Sequence, residues 1–367
     1  MLLDDWSLTL AGWTLLIATV TSVACALCGS ILFIGRKSMV SEGLSHAVLP
    51  GLVIAFAYTR DYSSPSLIMA AAFSGLLMVW LTQLIERSGL VDNDAGLGIV
   101  FAAMFSVGIL IVNAKLKSTH FHADCIIDGN LALAPLERLV VGNRDFGPEA
   151  FVVMVIVLAI VAIFLGLAYK ELKLGIFDPV LAQQFGLRPT LVQFVWLGIV
   201  SITTVAAFEV AGSILIVALM IAPPAAAYLL TDRLSRLLFF ASIIAIASSF
   251  LGYYLARAID ISPTGPISSM AGLLFLLTLC FAPRKGLLAA WTQQRSDRSQ
   301  TNRLLVLHSI ERNGRVPKDQ FNIADNRIER YITQLCDSGL IRREASQQLK
   351  ITDAGRSALR EVFDRQA

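Results

Sequence analysis

The stretch "SEGLSHAVLPG", residues 41–51, places two ionisable side chains where an apolar run begins. Glu42 and His46 are four residues apart, a spacing that places both side chains on one face of a helix. Pro50 and Gly51 then disturb that helix one turn later. Spacing alone leaves two interpretations open: a metal-ligand pair, or a carboxylate that caps the helix start and an imidazole that packs against the backbone.

The composition is that of a polytopic membrane protein. Of the 367 residues, 56% are hydrophobic and 16% are charged, whereas soluble domains are about 25% charged. Lysine and arginine number 14 against 17 aspartates and glutamates in residues 1–283, but 16 against 10 in residues 284–367. This asymmetry predicts two domains of different kinds. The five cysteines are scattered and form neither a disulfide framework nor zinc-ligand spacing.

Apolar runs of about 20 residues predict membrane-spanning helices. Ten lysines and arginines fall in the connections on one side of these runs and six on the other, so we expect the first side to be cytoplasmic. With nine spans the N-terminus is outside and the charged C-terminal tail is cytoplasmic. The second run is short and interrupted, so eight spans remain an alternative. The runs cover residues 13–34, 43–59, 65–85, 96–113, 151–169, 190–208, 211–230, 237–257 and 267–282.

Two further sets of polar residues are candidate metal contacts. Glu209 lies between two apolar runs, where it either lines an ion path or is solvated at the end of the sixth span. The predicted external loop holds His120, His122 and Asp124, which either form a low-affinity entry site for metal or are solvated loop residues.

A short helix is predicted in the connection between the fifth and sixth spans. The stretch "DPVLAQQFG" begins with a capping aspartate, Asp178, places Pro179 in the first turn, carries Ala182 in its middle and ends at Gly186. An isolated amphipathic helix on the cytoplasmic face is a surface for docking a partner protein. The alternative is an ordinary loop helix that lies on the membrane.

The sequence lacks the motifs of several enzyme classes. It has no phosphate-binding loop, no His-Glu-x-x-His zinc-protease motif and no dinucleotide-binding glycine fingerprint. We therefore do not expect the chain itself to bind ATP by a phosphate-binding loop. The energy for transport then comes from a partner protein or from an ion gradient.

Five segments together resemble the ATP-binding-cassette (ABC) permeases that import zinc, manganese or iron. The first contains a basic residue, a small residue, an acidic residue and Ser-His-Ala-x-x-Pro-Gly in the order typical of that family. This chain has Glu42 where the family commonly has aspartate, a difference that bears on metal selectivity. The segments, in chain order, are "KSMVSEGLSHAVLPGLVIAF", "DNDAGLGIVFAAMFSVGILIV", "DCIIDGNLALAPL", "FDPVLAQQFGL" and "VAGSILIVALMIAPPAAAYLL".

The resemblance implies an importer for divalent manganese, zinc or iron in the bacterial inner membrane. In that importer this chain is expected to be a transport subunit rather than an enzyme, without a permanently bound cofactor. It implies a homodimer or heterodimer of permease subunits, cytoplasmic ABC ATPase subunits and an external solute-binding protein that delivers the metal. Glu42 and His46 map onto the family residues associated with the metal path. The helix at residues 178–186 maps onto the coupling helix on which the ATPase docks. We expect the permease domain to cover residues 1–285.

The tail after the last span resembles a winged helix-turn-helix domain of metal-dependent repressors. A polar linker covers residues 286–300, and residues 301–367 predict helices and a small hairpin in the order helix, helix, hairpin, helix. The tail is thus expected to be a small α+β domain with a regulatory role, through binding of DNA, a partner protein or metal. The candidate DNA contacts are Arg327, Arg330, Arg342 and Arg343.

Two other functions stay open at this stage. One is a membrane-anchored, metal-responsive DNA-binding regulator whose spans serve as a platform. The other is an ion-coupled secondary metal transporter, which is typically built from inverted repeats. A partner ATPase distinguishes the permease from both.

Overall fold

The chain folds into two compact units, Met1–Ala282 and Pro283–Ala367. Each unit has a hydrophobic cluster of its own. The structure is a computed structural model, and it describes residues 2–59, 65–89, 91, 93–115, 131–141, 144–283, 285–289, 291, 306–307, 309–311, 332–343 and 349–357.

The described part of the first unit contains helices and one small hairpin. Its elements are α1 (Leu2–Ile34), α2 (Met39–Ala47), α3 (Leu49–Thr59), α4 (Pro65–Ser88), α5 (Asn93–Lys115), β1 (Arg138–Val141), β2 (Arg144–Pro148), α6 (Glu149–Leu167), α7 (Tyr169–Phe177), α8 (Pro179–Gln184), α9 (Pro189–Ala211), α10 (Ser213–Leu230), α11 (Leu234–Ile259) and α12 (Thr264–Phe281).

Nine stretches in the described ranges are long and apolar enough to cross a membrane. These nine candidate spans match the predicted α-helical polytopic membrane protein. The second stretch, Met39–Thr59, consists of α2 and α3 and begins four residues before the predicted start at residue 43. The apolar run starts only after the polar Ser41 and Glu42. The helix nevertheless includes both residues, because the backbone hydrogen bonds of a helix do not depend on side-chain polarity.

Close backbone contacts hold the centre of the bundle together. Pro223 and Pro224 both lie inside α10, which runs through them without interruption. Because Pro224 has no N–H, it cannot donate to the carbonyl of Met220. That carbonyl faces Gly29 of α1, where any Cβ would overlap it. A glycine on α1 thus permits the close approach of α1 to α10.

The hairpin β1–β2 precedes α6. Its strands pair in antiparallel register, with Val140 opposite Asp145 and Val141 opposite Arg144. Gly147 adopts a positive φ of 92° and lies against the ring of Trp13. That ring makes an edge contact with Phe151 of α6, with the ring centroids 5.3 Å apart. The hairpin is therefore packed against α1 at Trp13 and lies next to the start of α6.

The described part of the second unit contains a hairpin and short helical pieces. The strands β3 (Ile341–Arg343) and β4 (Leu349–Ile351) pair in antiparallel register, so the hairpin predicted there is present. The winged-helix assignment stays a prediction, because residues 312–331 lie outside the described ranges. The buried cluster of this unit consists of Val306, Leu307, Ile310, Leu335, Ile341 and Ile351.

Candidate metal site and coupling helix

Two glycines pack the α2–α3 pair against α4. A Cβ on Gly43 would lie 2.6 Å from the terminal methyl group of Met78, and a Cβ on Gly51 would overlap the carbonyl of Ala70. The two glycines are eight residues apart, and so are Met78 and Ala70, as expected for two antiparallel helices in close contact. At Gly43 the helix α2 thus lies against Met78 of α4 and also borders Leu97 of α5.

The second span is interrupted at Val48, two residues after His46. The helix α2 ends at Ala47, and α3 begins at Leu49. Pro50 has no N–H with which to bond the carbonyl of His46. The hydroxyl of Ser74 on α4 donates a 2.5 Å hydrogen bond to the neighbouring carbonyl of Ala47. The interruption is thus held in place by a side chain of α4.

His46 packs against two aromatic rings of α5. Its imidazole stacks on Phe101, with ring centroids 5.8 Å apart and an interplanar angle of 27°. It meets Phe105 edge to face, with centroids 5.3 Å apart and an angle of 72°. The half-buried imidazole is therefore held on the side that faces α5. The predicted alternative placed the imidazole against the backbone, whereas the structure places it against these two rings.

Glu42 is exposed on the same helix, one turn before His46. A carboxylate oxygen and an imidazole nitrogen on one face suit divalent manganese, zinc and iron. The described residues contain no group of three or more His, Cys, Asp or Glu side chains that would complete such a site. Within the described part of one chain, the pair therefore offers two donors and leaves further coordination positions open.

An ion pair holds the turn that precedes α2. Lys37 Nζ lies 3.1 Å from Glu86 Oε2 at the end of α4, and the two side chains are 16% and 17% exposed. Arg36, in the same turn, has a positive φ of 56°. The sequence carries only a weak signal for this contact: each partner stands just beyond an apolar run. The sequence alone does not predict this ion pair, because no spacing rule joins residues 49 positions apart.

Glu209 lies toward the other end of the bundle. Pro189, at the start of α9, lines a small cavity together with Lys37. Twenty residues of helix separate Pro189 from Glu209, which corresponds to roughly 30 Å. At that end Glu209 is exposed and lies within reach of the charges of Glu149 and Glu137. The structure thus places Glu209 in an acidic region apart from the α2 pair.

The helix predicted at residues 178–186 is present as α8. The Asp178 carboxylate caps it, accepting a 2.9 Å hydrogen bond from the N–H of Leu181. Pro179 is the first residue of the helix, and Ala182 is fully buried. Gly186 follows with a positive φ of 74°, a conformation that glycine adopts without steric cost. The exposed apolar residues of this segment are Val180, Leu181 and Phe185.

The structure gives no geometry for five of the predicted contact residues. His120, His122, Asp124, Arg327 and Arg330 lie outside the described residues. In the hairpin of the second unit, Arg342 is exposed opposite Lys350, and Arg343 stands opposite Leu349.

Comparison with known proteins covers the first unit. A model of the ABC 3 transport family matches residues 8–282. The manganese transport system membrane protein MntD of Bacillus subtilis is 33% identical over 276 residues, which is 75% of this chain and 93% of that protein. The zinc transport system membrane protein TroD of Treponema pallidum is 41% identical over 271 residues, 74% of each chain.

An iron-transport relative and a solved structure agree with these matches. The probable iron transport system membrane protein of Haemophilus influenzae is 31% identical over 288 residues, 78% of this chain and 95% of that protein. The fold is similar to that of a chain in the structure of PsaBC from Streptococcus pneumoniae in complex with Fab. The TM-score is 0.61 at 23% identity, and the match covers 74% of this chain and 91% of that one. Taken with the match to residues 8–282, these relatives show that the chain belongs to the ABC 3 transport family.

Proposed function

We propose that this chain is the permease subunit of an ABC importer for a divalent metal ion: manganese, zinc or iron. The observation that carries the proposal is the pairing of Glu42 and His46 on one face of α2, within a chain of the ABC 3 transport family. Relatives of this chain are named for manganese, zinc and iron transport. A carboxylate and an imidazole accommodate all three ions.

The α2 pair is suited to passage rather than storage of an ion. Two donors from one chain bind an ion weakly, and a transported ion has to leave its site. Glu42 is exposed in the single chain, and a carboxylate that faces lipid inside a span is costly. A second permease subunit, identical or related, would cover this face and contribute further ligands.

Energy and delivery come from partner proteins in this proposal. The capped helix α8 is the docking surface for a cytoplasmic ABC ATPase, which supplies the hydrolysis that this chain does not perform. An external solute-binding protein delivers the metal at the end of the bundle that carries the hairpin and Glu209. The predicted entry residues His120, His122 and Asp124 belong to the connection on that side.

The tail is proposed as a cytoplasmic regulatory domain. The family model ends at residue 282, which is also where the first compact unit ends. Truncation after residue 300 tests this role: we expect uptake to persist while its response to cytoplasmic metal is lost. Equal metal responses in the truncated and full-length chains would contradict a regulatory tail.

Reconstitution tests the permease proposal. The chain is placed in proteoliposomes with its partner ATPase, and uptake of manganese, zinc and ferrous iron is measured with ATP on the ATPase side. We expect uptake that depends on both the ATPase and ATP. Uptake that follows a proton gradient and needs no ATPase would instead identify a secondary transporter.

A further inference from the structure

A surface pocket lies where the end of α4 meets the connection between α8 and α9. Its volume is about 540 Å³. The side chains that matter for its chemistry fall into two groups, one apolar and one polar. They are Trp80, Leu84 and Leu191 in the first group, and Gln83, Arg188 and Thr190 in the second.

The apolar wall of the pocket is open to its surroundings. Trp80 is 51% exposed, Leu84 55% and Leu191 57%. Exposed apolar side chains continue from this wall along both helices toward the middle of the bundle, with Leu77 on α4 and Val195 on α9. In a membrane-spanning helix, such exposed apolar faces contact lipid chains or another subunit.

The polar part of the pocket is cationic. Among the described residues that line it, Arg188 is the single charged one and none is a carboxylate. Arg188 is exposed and makes no ion pair within the described part of the chain. Gln83 and Gln183 add side-chain amides, and Thr190 adds a hydroxyl. An unpaired guanidinium with neutral hydrogen-bond donors around it suits a phosphate group.

The pocket lies at the level where spans end. Arg188 directly precedes α9, and Gln83 and Leu84 lie in the last turns of α4. The ion pair between Lys37 and Glu86 marks the same end of the bundle. Tryptophan and arginine are typical of the boundary between lipid chains and headgroups, and basic pockets between spans recognise lipid headgroups at this boundary.

We propose that this pocket binds an anionic phospholipid of the phosphatidylglycerol class. The lipid phosphate contacts Arg188, with Thr190 and Gln83 as further donors. An acyl chain lies along Trp80 and Leu191 toward the middle of the membrane. One ligand thus contacts both the guanidinium of Arg188 and the exposed apolar wall, whereas a soluble anion would leave the apolar wall uncovered.

The pocket is separate from the surface proposed for the ATPase. On α8 and its end, Val180, Leu181 and Phe185 form the exposed apolar face. The pocket reaches α8 only through Gln183, which lies outside the arc of those three side chains. Lipid binding therefore goes beyond the proposed transport function and does not depend on the metal site.

The test uses the full-length chain purified in detergent. Thermal unfolding and native mass spectrometry are recorded with phosphatidylglycerol, with zwitterionic phosphatidylcholine and with glycerol 1-phosphate, the water-soluble part of the headgroup. We expect phosphatidylglycerol to bind and to raise the unfolding temperature more than the other two. Equal effects of both lipids, or an equal effect of glycerol 1-phosphate, would overturn the proposal.

Matched variants locate the binding. Arg188→Gln is expected to weaken phosphatidylglycerol binding by about fivefold, the factor for one basic residue near an anionic headgroup. Gln83→Glu exchanges the side chain for one of nearly the same size and places a negative charge in the pocket. We expect this variant also to weaken phosphatidylglycerol binding. Arg236→Gln, which removes an exposed arginine that does not line the pocket, is the control and should bind as the wild type does.

Two results with these variants would contradict a lipid site. One is unchanged phosphatidylglycerol preference in both Arg188→Gln and Gln83→Glu. The other is unchanged lipid binding together with loss of the partner ATPase from the purified Arg188→Gln protein, which would make the pocket a protein-docking surface.

Discussion

The imidazole of His46 meets the ring of Phe105 edge to face, with their centroids 5.3 Å apart. Phe105 and Phe101 are four residues apart on α5, so both rings lie on the face of α5 that His46 contacts. Because these contacts restrict the imidazole, α5 determines where the nitrogen atoms of His46 are presented. In the proposed metal path, Phe105 is a positioning residue that does not itself contact the ion.

Removing the ring of Phe105 should weaken metal uptake without abolishing it. For Phe105→Ala we expect the half-saturating metal concentration to rise about twofold to tenfold, the range that corresponds to an aromatic pair of about 0.5–1.5 kcal/mol. The measurement is initial uptake against metal concentration in the reconstituted system. Phe73→Ala, which removes an exposed ring from α4, is the control. A half-saturating concentration that rises equally in both variants would argue against the positioning role.

Gly51 should tolerate no side chain. A Cβ there would overlap the carbonyl of Ala70 on α4, and forced overpacking costs about 1–3 kcal/mol. We expect Gly51→Ala to lower the unfolding temperature of the purified protein. Gly98→Ala is the control, because open space surrounds Gly98 on α5. If the two variants unfold at the same temperature, α3 and α4 do not pack as closely as described.

The cap of α8 should matter for the docking of the ATPase. Asp178→Ala removes the acceptor for the Leu181 N–H, a loss of about 1 kcal/mol for a helix cap. We expect less ATPase to co-purify with Asp178→Ala, while Asp178→Asn, which also caps helices well, retains it. Equal recovery of the ATPase with the alanine and asparagine variants would show that the cap does not support docking.

The number of spans could be predicted from apolar runs, but their contacts could not. The nine apolar runs in the sequence match the nine candidate spans among the described residues, because hydropathy depends only on local composition. The roles of Gly43 and Gly51 depend on α4, which is distant in sequence, so composition does not reveal them. The polar start of the second span was missed because the run criterion stops at Ser41 and Glu42.

Local signals predicted α8 well, since Asp178, Pro179 and Gly186 act within a few residues of the helix they delimit. The site around His46 was predicted only in part. The spacing of Glu42 and His46 follows from one helix, whereas the aromatic contacts require α5 to lie alongside α2. The Lys37–Glu86 pair likewise joins two ends of spans that only the folded bundle brings together.

Metal uptake by Glu42→Gln and His46→Ala tests the central proposal most directly. Both are reconstituted with the partner ATPase and compared with the wild type and with Asp260→Asn, which makes a carboxylate-to-amide change at an exposed position at the end of α11. We predict a loss of ATP-dependent uptake of at least tenfold in the two α2 variants, as about 1.4 kcal/mol per lost ligand would produce, with uptake unchanged in Asp260→Asn. Wild-type uptake by both Glu42→Gln and His46→Ala would contradict a metal path through α2.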